Sequence, residues 1–330
     1  MFGAAMLRLT LFGNLSVVRR DSDAASEGVA MSGRPGGLLA YLALARGRFF
    51  TRTELTSALW PDRSADISIG AFNTTLWRLR KALESPPLVL REIVVCNQRG
   101  AVGLPIHAQL QLDIDEFDQL VTPALEKALE RINETDISHL RQGIALYRDD
   151  ILSGFTDEWA LCEREKYRRR HLNALGRLMQ LSALRKDYPS AIAYAHDILD
   201  RDALREDIHC ELMRLLLANG QRALALRQFE VCRDALKREL VIQPMRETIA
   251  LYKQIADSAV GVAAPPHRFA EHSLAPDLLL HTGVRSEPGA LMHVLSGRDL
   301  VESARRSLAH ADRQLQMTLP LFGDDTLPQP

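Results

Sequence analysis

Lys186-Asp187-Tyr188-Pro189-Ser190-Ala191 and Gly220-Gln221-Arg222-Ala223-Leu224-Ala225 stand 34 residues apart, and the register holds at Leu178/Leu212, Met179/Met213, Ala191/Ala225, Ala195/Phe229 and Ile198/Cys232. This is the tetratricopeptide period, that of a helix hairpin whose apolar face cannot be buried alone. Such hairpins must stack on neighbours, and the small Ala191 and Ala225 mark where two helices approach closely. Between residues 124 and 243 the chain has a single proline, Pro189, in the first turn of a helix, where its missing N–H is harmless. Two repeats make a marginal stack, so flanking helices at about 138–152, 158–171 and 246–256 are expected to cap it.

The start of the chain obeys a different period. Residues 7–18 (LRLTLFGNLSVV) alternate apolar and polar side chains around a Gly-Asn turn signal, which predicts a short hairpin. Helices follow from about Gly37. Thr51-Arg52-Thr53-Glu54 fits a capping box, so a second helix starts there and runs to about Trp60, where Pro61 stops it. Strands are expected again at 92–96 and 102–112, flanking the polar turn Asn97-Gln98-Arg99-Gly100. Short helices followed by a hairpin with Arg99 at its tip predict a winged helix-turn-helix, in which the wing reaches the adjacent groove or backbone of DNA.

Charge agrees with that placement. The chain carries 41 Lys+Arg against 42 Asp+Glu, yet residues 28–100 hold 10 basic and 5 acidic side chains. A third helix, 68–84 (SIGAFNTTLWRLRKALE), places Ile69, Phe72, Leu76, Leu79 and Leu83 within about 80° of arc, a face packed on a core. Thr74, Arg78 and Lys81 lie opposite, with Gly70, Ala71 and Trp77 beside them and Asn73 and Arg80 on one flank. Such a face can enter a major groove, Asn73 and Thr74 near base edges and the cations near phosphates. Asn73, Thr74, Trp77, Arg78 and Lys81 are therefore the candidate DNA contacts, with Arg80 and Arg99 secondary.

Leu59-Trp60-Pro61-Asp62, Arg78-Leu79-Arg80-Lys81 and the Asp113…Phe117 junction resemble the winged-helix domain of the SARP family of bacterial transcriptional activators. Ala145-Leu146-Tyr147-Arg148-Asp149-Asp150-Ile151-Leu152-Ser153-Gly154-Phe155, Asp157-Glu158-Trp159 and Glu163-Arg164 resemble the opening of that family's bacterial transcriptional activator domain. Leu204-Arg205-Glu206-Asp207-Ile208-His209, Ala225-Leu226-Arg227-Gln228-Phe229, and Glu239-Leu240 with Pro244, Thr248, Leu251 and Tyr252 continue it in order. The resemblance implies an activator that binds direct repeats near promoters, recruits RNA polymerase and forms a homodimer. Two departures stand out: the wing lacks the usual Gly-Tyr pair, and Gly36-Gly37 replace polar or basic residues, which removes possible phosphate contacts.

The expected fold is mainly α: a winged helix-turn-helix with small β-hairpins over 1–115, a tetratricopeptide-like helical domain over 116–256, and a linker with an uncharacterised extension over 257–330. Within that extension, 298–317 has helical apolar spacing. The longest apolar run, 38–45, is too short to cross a bilayer, and no basic region precedes the first apolar residues, so a cytoplasmic protein without membrane contact is expected. Cys96, Cys162, Cys210 and Cys232 form no C-x-x-C pair and read as reduced, mostly buried thiols. His267, His272, His281 and His293 are too widely spaced for a metal site. Neither phosphate-binding glycine motif occurs and no catalytic grouping emerges, so no cofactor and no enzyme activity are expected. Residues 166–171 (KYRRRH) read as a solvated helix side, and Tyr147, Trp159, His209 and Cys210 as packing residues. The alternative function is a protein-interaction adaptor whose winged domain no longer binds DNA.

Overall fold

The structure is a computed structural model that describes residues 6–20, 29–61, 65–85, 88, 93–106 and 110–257. The helix expected at 298–317, the linker, and His267, His272, His281 and His293 lie outside them. Alternation places Leu7 and Leu9 of β1 (Met6–Thr10) in the core, with Arg8 and Thr10 outward. β2 (Ser16–Arg20) pairs antiparallel with β1, the chain turning at Gly13, whose φ of +87° suits glycine. The short β3 (Val29–Ala30) extends the sheet beyond β2.

Three helices follow: α1 (Gly33–Leu44), α2 (Arg52–Leu59) and α3 (Ala65–Glu84). The capping box at Thr51 and Glu54 is present, with Glu54 N–H donating to Thr51 Oγ1 at 3.2 Å and Thr51 N–H donating to Glu54 Oε2 at 2.7 Å. β4 (Phe49–Phe50), β5 (Val95–Cys96) and β6 (Val102–Gly103) form a second sheet in the order β4-β6-β5, the wing. The strand expected over 102–112 ends early. Gly103 lies so close to Arg48 that a Cβ would sit 2.6 Å from its carbonyl oxygen, and Pro105 has no N–H with which to continue the ladder. Leu110 and Leu112 instead belong to β7 (Leu110–Leu112), which pairs parallel with β1.

The helical array begins without a linker: α4 (Asp113–Glu126) follows β7 directly. Then come α5 (Glu134–Leu146), α6 (Glu158–Leu184), α7 (Tyr188–Arg201), α8 (Glu206–Ala218), α9 (Arg222–Leu240) and α10 (Arg246–Asp257). All five residue pairs of the 34-residue register are buried. The register extends to the turns, since Lys186 and Gly220 are both left-handed, at φ +60° and +76°. The bonds Asp187 N–H to Ser182 O and Gln221 N–H to Leu216 O are equivalent. The helix expected at 158–171 is the first half of α6, not a separate cap.

Several expectations need correction. Among the cysteines only Cys232 is buried; Cys96 and Cys162 are exposed on outward faces and Cys210 is half-buried. The 166–171 run is solvated on one side only: Arg169 is exposed beside Glu165 and Lys166 pairs with Glu163, while α4 lies against the other side. Tyr167 and His171 are buried, and Arg170 pairs with Asp118 at 3.1 Å. Trp159, by contrast, is the packing residue expected: half-buried, it lies edge-on to Tyr41 against the core. Ile69 is 46% exposed: it lies about 50° off the centre of the Phe72–Leu76–Leu79–Leu83 stripe and a turn ahead of it.

Candidate nucleic-acid interface

Phe72, Leu76, Leu79 and Leu83 hold α3 against α1 and α2, and this one-sided burial leaves the opposite side in water. Asn73, Thr74, Trp77, Arg78 and Lys81 are all exposed there. The Thr74 hydroxyl donates to Gly70 O at 3.1 Å, so its oxygen remains available as an acceptor. Lys81 Nζ stands 4.9 Å from the centre of the Trp77 ring.

Arg80 faces elsewhere. It is half-buried and donates to Val94 O and Cys96 Sγ, both at 3.3 Å, so it braces α3 against the base of the wing. Arg99 is exposed at the wing tip, on a turn shaped by the Asn97 side chain, which accepts the N–H groups of Arg99 and Ala101 at 2.9 and 3.0 Å. Gly100 completes that turn at φ +77°. The candidate residues thus divide into five on an open helix face, one at the wing tip and one brace between them. Among the described residues no group of His, Cys, Asp and Glu is arranged to hold a metal ion, and no helix is long and apolar enough to cross a membrane.

The winged part is joined to the helical array by more than the chain. Asp113 is buried at the end of β7 and accepts the N–H groups of Leu11, Phe12 and Ile114 at 2.9 Å. Burial pushes its carboxyl up, while the three donors favour the charged form. Phe12 packs among Phe117, Tyr147 and Tyr167 at ring separations of 5.4, 5.0 and 5.9 Å. His171 stacks on Tyr147 at 4.1 Å, and burial pushes its pKa down to about 3.

The segment between α5 and α6 returns to the first sheet: Leu152 N–H donates to Leu11 O and Gly13 N–H to Asp150 O. Leu152 is fully buried in a left-handed conformation, φ +53°, and Arg164 holds the segment by donating to the carbonyls of Ile151, Leu152 and Phe155. Phe155 then lies over α1. A Cβ on Gly36 would meet it at 3.3 Å and one on Gly37 at 3.4 Å, so these glycines admit the phenyl ring and do not face a nucleic acid. Arg34 pairs with Asp157 across the same junction. Residue spacing alone does not reveal this junction; its one sequence signal is an Asp placed directly after an apolar strand.

Comparison with known proteins agrees with this architecture. Residues 112–256 match the bacterial transcriptional activator domain family. Regulatory protein AfsR of Streptomyces coelicolor is 27% identical over 258 residues, 76% of this chain and 25% of the relative, so the chain spans about a quarter of that protein's length. Mycobacterium tuberculosis EmbR, solved in complex with a low affinity phosphopeptide, shares the fold with a TM-score of 0.60 at 18% identity, over 77% of this chain and 65% of EmbR. Residues 112–256 thus match the bacterial transcriptional activator domain family, and the likeness to AfsR, over 76% of the chain, extends beyond that domain.

Proposed function

We propose that this chain is a DNA-binding transcriptional activator. Residues 1–115 bind direct repeats near promoters through Asn73, Thr74, Trp77, Arg78 and Lys81, with Arg99 on the flanking backbone. The helical residues 116–256 hold two copies together and contact RNA polymerase. Support comes chiefly from α3, whose apolar stripe is consumed by its own module while three polar or cationic side chains and an indole share the outward side with Asn73.

Selection of bound duplexes from a random library tests the reading. On a selected duplex, Arg78→Ala and Lys81→Ala each weaken binding at every sequence and make the salt dependence shallower by about one unit. Asn73→Ala or Thr74→Ala relaxes sequence preference by about 1–3 kcal/mol. An unchanged salt slope in both cation variants removes them from the interface. Failure to retain any duplex at low salt refutes the proposal and favours the adaptor reading. That second reading draws on Leu240, Val241, Ile242 and Met245, all exposed at the α9–α10 corner, as a surface for a protein partner.

A further inference from the structure

Trp77 is 60% exposed in the middle of a face otherwise made of amide, hydroxyl and cationic groups. An indole is the side chain least suited to remain in water, and its large area stabilises an interface strongly when covered. Here it is also held in place. The Lys81 ammonium sits 4.9 Å from its ring centre, a cation–π pair one helical turn long, which narrows the orientations of both side chains before any partner arrives. Its N–H donates to no other described residue. The result is an oriented apolar plate with a single donor and no acceptor on its edge.

Each base pair shows a different pattern to such a group. In the major groove thymine sets a methyl group beside an acceptor, O4; cytosine offers a donor, adenine a donor beside N7, and guanine two acceptors without a methyl. A plate with one donor complements the first of these and meets a like-for-like donor clash at cytosine. The geometry points to Trp77 as a specificity-determining residue that reads a thymine, its ring on the 5-methyl group and its N–H toward O4, while Lys81 holds the indole and the neighbouring phosphate. This inference rests on the DNA-binding reading above and deepens it.

The test uses the full chain and a duplex selected from a random library. Each thymine is replaced in turn by deoxyuridine, which lacks the methyl and keeps O4. A second series places 5-methyldeoxycytidine opposite guanine, which keeps the methyl and exchanges O4 for a donor. At one thymine per repeat, deoxyuridine weakens wild-type binding about fourfold, the worth of one buried methyl, and 5-methyldeoxycytidine weakens it further. Trp77→Ala is indifferent to both changes at that position. Trp77→Phe keeps the response to deoxyuridine and loses the distinction between thymine and 5-methyldeoxycytidine, and this comparison decides the matter if the alanine variant binds too weakly to titrate. If the selected duplex is retained and no thymine position separates wild type from either variant, the inference is overturned and the DNA-binding reading survives. If wild type selects no duplex at all, both fall together.

Discussion

Lys186 and Gly220 occupy the same place in successive repeats, and exchanging their residue types isolates the backbone cost of a left-handed turn. Lys186 adopts φ +60° and is exposed; Gly220 adopts φ +76°, and a Cβ there would meet nothing within 4 Å. A left-handed L-residue pays about 1–2 kcal/mol in Cβ strain. Glycine relieves that strain and returns about 0.4–1 kcal/mol through the greater freedom of the unfolded chain. Lys186→Gly is therefore expected to stabilise by about 0.5–1 kcal/mol, and Gly220→Lys to destabilise by a similar amount, with no packing change in either case. Urea unfolding followed by far-ultraviolet circular dichroism measures both, and thermal midpoints move by about 2–3 °C in opposite directions. Shifts of the same sign, or a loss of stability in Lys186→Gly, would refute the reasoning.

Val241→Gly, at φ +58° with its side chain 86% exposed, stabilises by about 1 kcal/mol, read as a rise in the urea midpoint. Phe155→Ala empties the space above Gly36 and Gly37 and costs about 3–5 kcal/mol by the same measurement, whereas Arg78→Ala leaves stability unchanged. His171, lowered to about 3 by burial against 6.5 when free, contributes stability that is fully present above pH 6.5 and is lost as pH falls toward 3, at about 1.4 kcal/mol per pH unit. A pH series on His171→Gln should show a flatter acid limb. Arg80→Ala frees the wing base and lowers DNA affinity with little change in salt slope, the opposite signature from Arg78→Ala.

The periodic parts of this fold are legible from sequence because one period controls several features at once. The 34-residue spacing predicts the buried pairs, and the left-handed caps at 186 and 220 follow the same register. The Thr51 capping box and the outward face of α3 were legible for a similar reason, each being determined within one or two helical turns. Features that depend on distant elements were not. The 166–171 run looks solvated until Asp118 on α4 arrives opposite Arg170, and Arg80 looks like a phosphate contact until β5 supplies Cys96. Gly36 and Gly37 read as missing cations because nothing near them in sequence announces Phe155, more than a hundred residues on.

The strand-like return of residues 150–153 to the β1–β2 turn bears on how such regulators diversify. A recombination event that cut between β7 and α4 would strand Leu11 O and Gly13 N–H without their partners and leave Gly36 and Gly37 facing an unfilled hollow. An N-terminal module transplanted onto foreign helices would therefore have to bring its own Asp150–Phe155 clasp, so shuffling at the natural-looking seam should yield misfolded hybrids, whereas substitutions on the open face of α3 leave that clasp intact.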